Sequence, residues 1–137
     1  MIGLLLVSHG ELCEYLLKST SMLAGEAEQC KAVSLNKGET PQCYEQRVRK
    51  AIEELDTGEG VIVLVDILGG TPYNTIGSLS REYNLKIITG MNMPMLVYLT
   101  LERNENMTIE DLIENASETA KNSICLLYTS PSPRDCS

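Results

Sequence analysis

A single histidine, His9, occurs in this chain of 137 residues, and it follows the apolar run Ile2–Val7 in the segment Ser8-His9-Gly10-Glu11. Imidazole can exchange a proton near neutral pH or act as a nucleophile that carries a covalent group. A lone histidine is more often a packed or merely exposed side chain than a reactive one, so its context has to decide. Ser8 and Glu11 match a capping box, which predicts Ser8 as N-cap and His9 opening the first helix. At that end the helix dipole and free amides disfavour imidazolium and favour an attached anion. Glu11 and Glu14 oppose this bias unless they point away.

Asp66 closes the apolar run Val61-Ile62-Val63-Leu64-Val65. A carboxylate in that place often only caps the next turn. If the runs around His9 and Asp66 are neighbouring strands, their ends lie about 4.8 Å apart at one edge of a sheet, and a His–Asp hydrogen bond becomes feasible. The carboxylate would then fix the tautomer and leave the other ring nitrogen free. A third element is Gly69-Gly70-Thr71-Pro72-Tyr73-Asn74. It predicts a helix start with Thr71 as N-cap and Pro72 at the first helical position, after a glycine turn that permits close approach. The same features, Gly69 and Gly70 amides with the Thr71 hydroxyl, could cradle a phosphoryl oxyanion. Nucleophile, orienting carboxylate and oxyanion cradle are the parts a phosphoryl relay requires.

The elements that must bring these loops together are legible as alternation. Short apolar stretches at Ile2–Val7, Ala32–Leu35, Val61–Val65 and Lys86–Thr89 read as strands buried on both faces. Between them, Glu11–Leu23 places Leu12, Tyr15, Leu16, Ser19 and Leu23 near one helical face, and Thr40–Leu55 does so with Val48, Ile52 and Leu55. Pro72–Tyr83 and Thr108–Lys121 are further helical patterns, and the ambiguous Met93–Arg103 reads as helix after Pro94. This alternation predicts a doubly wound α/β domain with a mostly parallel sheet in the flavodoxin-like order 2-1-3-4 and helices on both faces. Such sheets bind ligands beyond the carboxyl ends of the strands, here at Ser8–Glu11 and Asp66–Pro72.

Composition narrows the partners. Eleven Lys and Arg against 19 Asp and Glu leave a net charge of −8. That balance argues against nucleic acid and anionic membrane surfaces, which need clustered cations. No apolar run approaches the ~20 residues of a membrane span. The first residues lack a secretory leader, so a cytoplasmic protein is expected. Five cysteines without a Cys-x-x-Cys spacing read as free thiols, neither a zinc site nor a disulfide framework. No cofactor is expected. Residues 125–137 change composition abruptly and resemble the translation of a sequencing-library adaptor. The expectation is therefore a functional domain over 1–124 followed by a non-native read-through tail.

Over residues 1–124 the sequence resembles the mannose-family enzyme IIA of the bacterial sugar phosphotransferase system. The resemblance rests on Leu5-Leu6-Val7-Ser8-His9-Gly10, Met22-Leu23-Ala24-Gly25-Glu26, Val65 through Asn74, and Gly90-Met91-Asn92-Met93-Pro94-Met95-Leu96. It implies that His9 takes a phosphoryl group from HPr and passes it to an enzyme IIB subunit, for a sugar imported by the membrane subunits IIC and IID. It implies too that Asp66 supports the ring and that Thr71, with the Gly69 and Gly70 amides, meets the phosphate. A homodimer with an exchanged antiparallel edge strand is the family's arrangement, and the segment that should supply it, near 122–128, is mostly the foreign-looking tail. Met91, Met93 and Met95 could face a partner or pack in the core.

Other functions fit less well. A receiver domain could use Asp66 but needs acidic residues after the first strand. A tetrapyrrole metal chelatase also opens with a strand into a His-Gly turn, yet one histidine supplies too few ligands. A nucleotide-binding module lacks its glycine fingerprint. The nearer rivals are the phosphotransfer subunit that feeds dihydroxyacetone kinase and a regulatory copy of the same domain. Gly69–Asn74 favours the sugar-transport branch.

Overall fold

The computed structural model describes residues 1–104 and 106–128. Four strands, β1 (Gly3–His9), β2 (Cys30–Leu35), β3 (Val61–Val65) and β4 (Leu85–Thr89), alternate with α1 (Leu12–Ala24), α2 (Pro41–Leu55), α3 (Gly70–Leu79) and α4 (Met93–Glu102), and α5 (Ile109–Asn122) follows. All pairings are parallel, in the order β2-β1-β3-β4, as expected. The central strands β1 and β3 are buried on both faces, whereas the edge strands β2 and β4 are partly covered.

Period-two alternation divides the core into two layers. Leu5 and Val7 of β1 and Val61, Val63 and Val65 of β3 pack under α2 and α3 with Tyr44, Val48, Ile52 and Ile76. Leu4, Leu6, Ile62 and Leu64 face the other way, onto Cys13, Met95, Leu96, Leu99 and Leu112 of α1, α4 and α5. Thr40 caps α2 by accepting from the Cys43 amide, and Pro41 sits in its first turn. Val48, Ile52 and Leu55 form its buried stripe, as expected. Each such side chain contributes about 1.5–3 kcal/mol by leaving water. Met95 is in the core and Met91 packs against it, so core packing prevails over partner contact for these two methionines.

Several local expectations are corrected. The buried side of α1 is Cys13 and Thr20, with Leu16 and Leu17 packed beside them, while Leu12, Tyr15 and Leu23 are exposed. Apolar character alone chose the wrong face, because the orientation of α1 is set by docking on β2 and α4. The capping box does not form: α1 begins at Leu12, Glu11 makes no side-chain cap, and His9 ends β1 instead of opening the helix. β1 keeps its register with β2 as far as His9 opposite Leu35, and this ladder holds the histidine in extended backbone. Likewise α3 begins at Gly70 with Gly69 as N-cap, so Thr71 is not the cap. Cys13, Cys30 and Cys43 are free thiols, but Cys125 is disulfide-bonded, against the all-thiol expectation. The expected tail falls mostly on residues 129–137, outside the described residues, and residues 124–128 are neither helix nor strand.

Candidate active site

Because β1 and β3 are direct neighbours, with Val7 opposite Val65 as their last pair, the residues just past the end of that pairing meet at the carboxyl edge of the sheet. The Asp66 amide donates to the Val7 carbonyl at 3.3 Å, which extends the contact one step past the strand. His9 Nδ1 then lies 2.8 Å from Asp66 Oδ2, and the His9 backbone N–H donates to the same oxygen at 2.9 Å. Oδ1 accepts from the Ile67 amide at 2.9 Å. An ionised carboxylate only accepts, so Nδ1 carries the proton when the ring is neutral and Nε2 keeps its lone pair. The imidazole is about half exposed (48%), whereas the carboxylate is 10% exposed, so the orienting group is sheltered and the ring is presented.

Gly70 occupies the space beside the presented nitrogen. A Cβ there would lie 2.9 Å from His9 Nε2 and 2.8 Å from Cε1, and Gly70 has φ +84°. Both observations require glycine. Gly69 is also left-handed, at φ +93°, and as N-cap it supplies no side chain to the first turn of α3, which among the described residues is left without a side-chain cap. That helix therefore directs an uncapped N-terminus towards the ring, and an anion attached to Nε2 would meet it. Alternation explains the side chosen: His9 shares its face with Leu5 and Val7, which pack under α2 and α3.

The structure thus brings His9, Asp66 and Gly70 together, with Gly69 one residue before. Thr71 follows Gly70 but lines a groove of about 280 Å³ between α2 and α3 with Gln42, Glu45, Asn74 and Ser78. Among the described residues no hydrogen bond joins its hydroxyl to His9. Sequence reasoning missed the exposure of several apolar residues near this edge of the sheet: Leu12 and Tyr15 in the first turn of α1, and Ile67 and Leu68 on the loop after Asp66. A signal for the last pair was present, since apolar residues between a strand-ending Asp and a Gly-Gly turn have no strand to bury them. Among the described residues no cluster of three or more metal-binding side chains occurs, and no helix is long and apolar enough to cross a membrane.

The model of the PTS system fructose IIA component family matches residues 3–117. The chain belongs to this family. This IIA chain is 31% identical over 132 residues to the PTS system mannose-specific EIIAB component of Escherichia coli strain K12, an alignment covering 95% of the chain and 41% of that relative. It is also 31% identical over 124 residues to the PTS system fructose-specific EIIA component of Bacillus subtilis strain 168, covering 90% and 84%. The crystal structure of phosphotransferase system component EIIA from Streptococcus agalactiae superposes with a TM-score of 0.84 at 26% identity, covering 92% of this chain and 97% of that one. The IIA chain therefore spans about two fifths of the E. coli relative and most of the other two.

Proposed function

We propose that this IIA chain is a cytoplasmic phosphohistidine carrier in sugar uptake, accepting a phosphoryl group from HPr on His9 and donating it to an enzyme IIB subunit. The observation that carries the reading is the presented Nε2 of a ring held at Nδ1 by Asp66 and abutted by Gly70. In the transfer, the Nε2 lone pair attacks phosphorus and an N–P bond forms. The donor's own N–P bond breaks, and its electron pair stays on the donor nitrogen. The phosphorylated ring, still protonated at Nδ1, becomes cationic, and the Asp66 carboxylate stabilises that charge while the Gly69 and Gly70 amides and the Thr71 hydroxyl receive phosphoryl oxygens. Donation to the next protein is the same step reversed.

The exposed side chains of Ile67 and Leu68, on the loop between Asp66 and Gly69, support a protein donor in preference to a small phosphorylated metabolite, because apolar residues on the loop that carries the carboxylate need an apolar surface to cover them. A homodimer belongs to the same reading, tested by sedimentation, as does a functional unit over 1–124, tested by deleting the remainder. Incubation with phosphoenolpyruvate, enzyme I and HPr should label the native chain at His9 and leave a His9→Ala variant unlabelled. An unlabelled native chain, or a labelled variant, overturns the proposal.

A further inference from the structure

We infer that Ser8 is a positioning residue for His9, holding the reactive ring's backbone from the opposite face of the sheet. The inference rests on the carrier reading above. Ser8 is fully buried, with Cys13 and Ser34 buried beside it. Its hydroxyl donates to the Gly10 carbonyl at 2.8 Å and accepts from the Cys13 amide at 2.9 Å. It therefore ties the residue after His9 to the first turn of α1, a cap supplied by a residue lying before the turn. Alternation makes this possible, since His9 faces α3 and its neighbour Ser8 faces α1.

The remaining contacts show how little freedom is left at the ring. The Gly10 amide donates to the Leu35 carbonyl at 2.8 Å. Gly10 has φ +61°, and a Cβ there would meet nothing, so sterics do not hold the turn. The turn is held by hydrogen bonds: on its α1 side the Gly10 carbonyl and the Cys13 amide both meet the one hydroxyl of Ser8, and the Tyr15 amide donates to the Glu11 carbonyl at 3.1 Å. Ser34, opposite Ser8 in register, donates to Glu14 Oε2 at 2.5 Å and lies 3.5 Å from Cys13 Sγ. This draws the carboxylate of Glu14 towards β2, so one of the two acids that opposed an anion on His9 is engaged elsewhere.

Without the Ser8 hydroxyl, a buried amide and a carbonyl lose their partner beside the active turn. The turn should relax and the ring lose its register with Asp66, because a displacement of about 1 Å is enough to slow a positioned reaction severely. The test compares Ser8→Ala with Ser8→Thr, which keeps the hydroxyl. Two readouts apply: phosphoryl transfer from phospho-HPr under saturating and limiting donor, and nitrogen NMR of the His9 ring in the unphosphorylated protein. Ser8→Ala should lower the saturated rate at least about tenfold with an unchanged KM for HPr. It should also broaden or shift the Nδ1–H signal that the Asp66 bond protects, and Ser8→Thr should restore both. Should Ser8→Ala fail to fold, Ser8→Cys, with a weak donor of similar size, should show the same two losses. A native rate with unchanged ring signals in the alanine or cysteine variant overturns the inference. If the native chain accepts no phosphoryl group, the carrier reading fails by itself, and the ring signals still decide the role of Ser8.

Discussion

Asp66 Oδ2 accepts from two atoms of His9 at once, the ring Nδ1 at 2.8 Å and the backbone N–H at 2.9 Å. The same carboxylate oxygen thus fixes the ring's rotation and the strand end that carries it. Removing it should uncouple both. Asp66→Ala is expected to slow transfer from phospho-HPr on the order of a hundredfold, while circular dichroism and the unfolding midpoint show a folded protein. Asp66→Asn should lose less, because its amide oxygen can still accept from His9, although its NH2 then opposes the Ile67 N–H. A native transfer rate in the alanine variant would reduce the carboxylate to a turn cap.

Gly70 and Gly77 lie in the same helix and should respond oppositely to alanine. A Cβ at Gly70 meets Nε2 and Cε1 of His9 under 3.0 Å and the backbone is left-handed, whereas at Gly77 nothing lies within 4 Å. Gly70→Ala should displace the ring and lower His9 labelling on the order of a hundredfold. Gly77→Ala should leave labelling unchanged and raise stability by about 0.5–1 kcal/mol in urea unfolding.

Arg103 is buried at the end of α4, 3% exposed. It donates to the backbone carbonyls of Ile2, Gln29 and Glu28, tying the starts of β1 and β2 together at the edge of the sheet away from His9. Burial lowers its pKa. Arg103→Met keeps the aliphatic length but strips these carbonyls of their donor, so unfolding free energy should fall by about 2–4 kcal/mol. His9 labelling of the folded fraction should be unaffected, as phosphorylation at a temperature well below the midpoint will show.

Cys30 packs beside that arginine. Burial pushes its thiol up from 9.0 to about 11, with Arg103 pulling the other way. The unfolded chain therefore releases this proton at lower pH than the folded chain. The stability contributed by the neutral thiol is complete below pH 9 and is lost as pH rises from 9 towards about 11. Unfolding midpoints measured across that range should fall more steeply for the native chain than for Cys30→Ala. Parallel slopes would show that the thiol is not held neutral by the fold.

The strands, their parallel order and the buried stripe of α2 were all legible in the sequence, because alternation and 3.6-residue periodicity are local properties of the chain. The pairing of His9 with Asp66 followed from them, since neighbouring β1 and β3 end at one edge. The sequence did not decide where β1 stops. The capping box at Ser8 and Glu11 and the β2 ladder compete for the same residues. The ladder wins as far as His9 opposite Leu35, and Ser8 is left to cap from below. The face of α1, the start of α3 at Gly70, and Nε2 as the nitrogen left open were likewise decided by tertiary structure. Each depends on contacts between residues distant in sequence, the docking of α1 on β2 and α4 and the approach of Gly70 to the His9 ring, which no local pattern encodes.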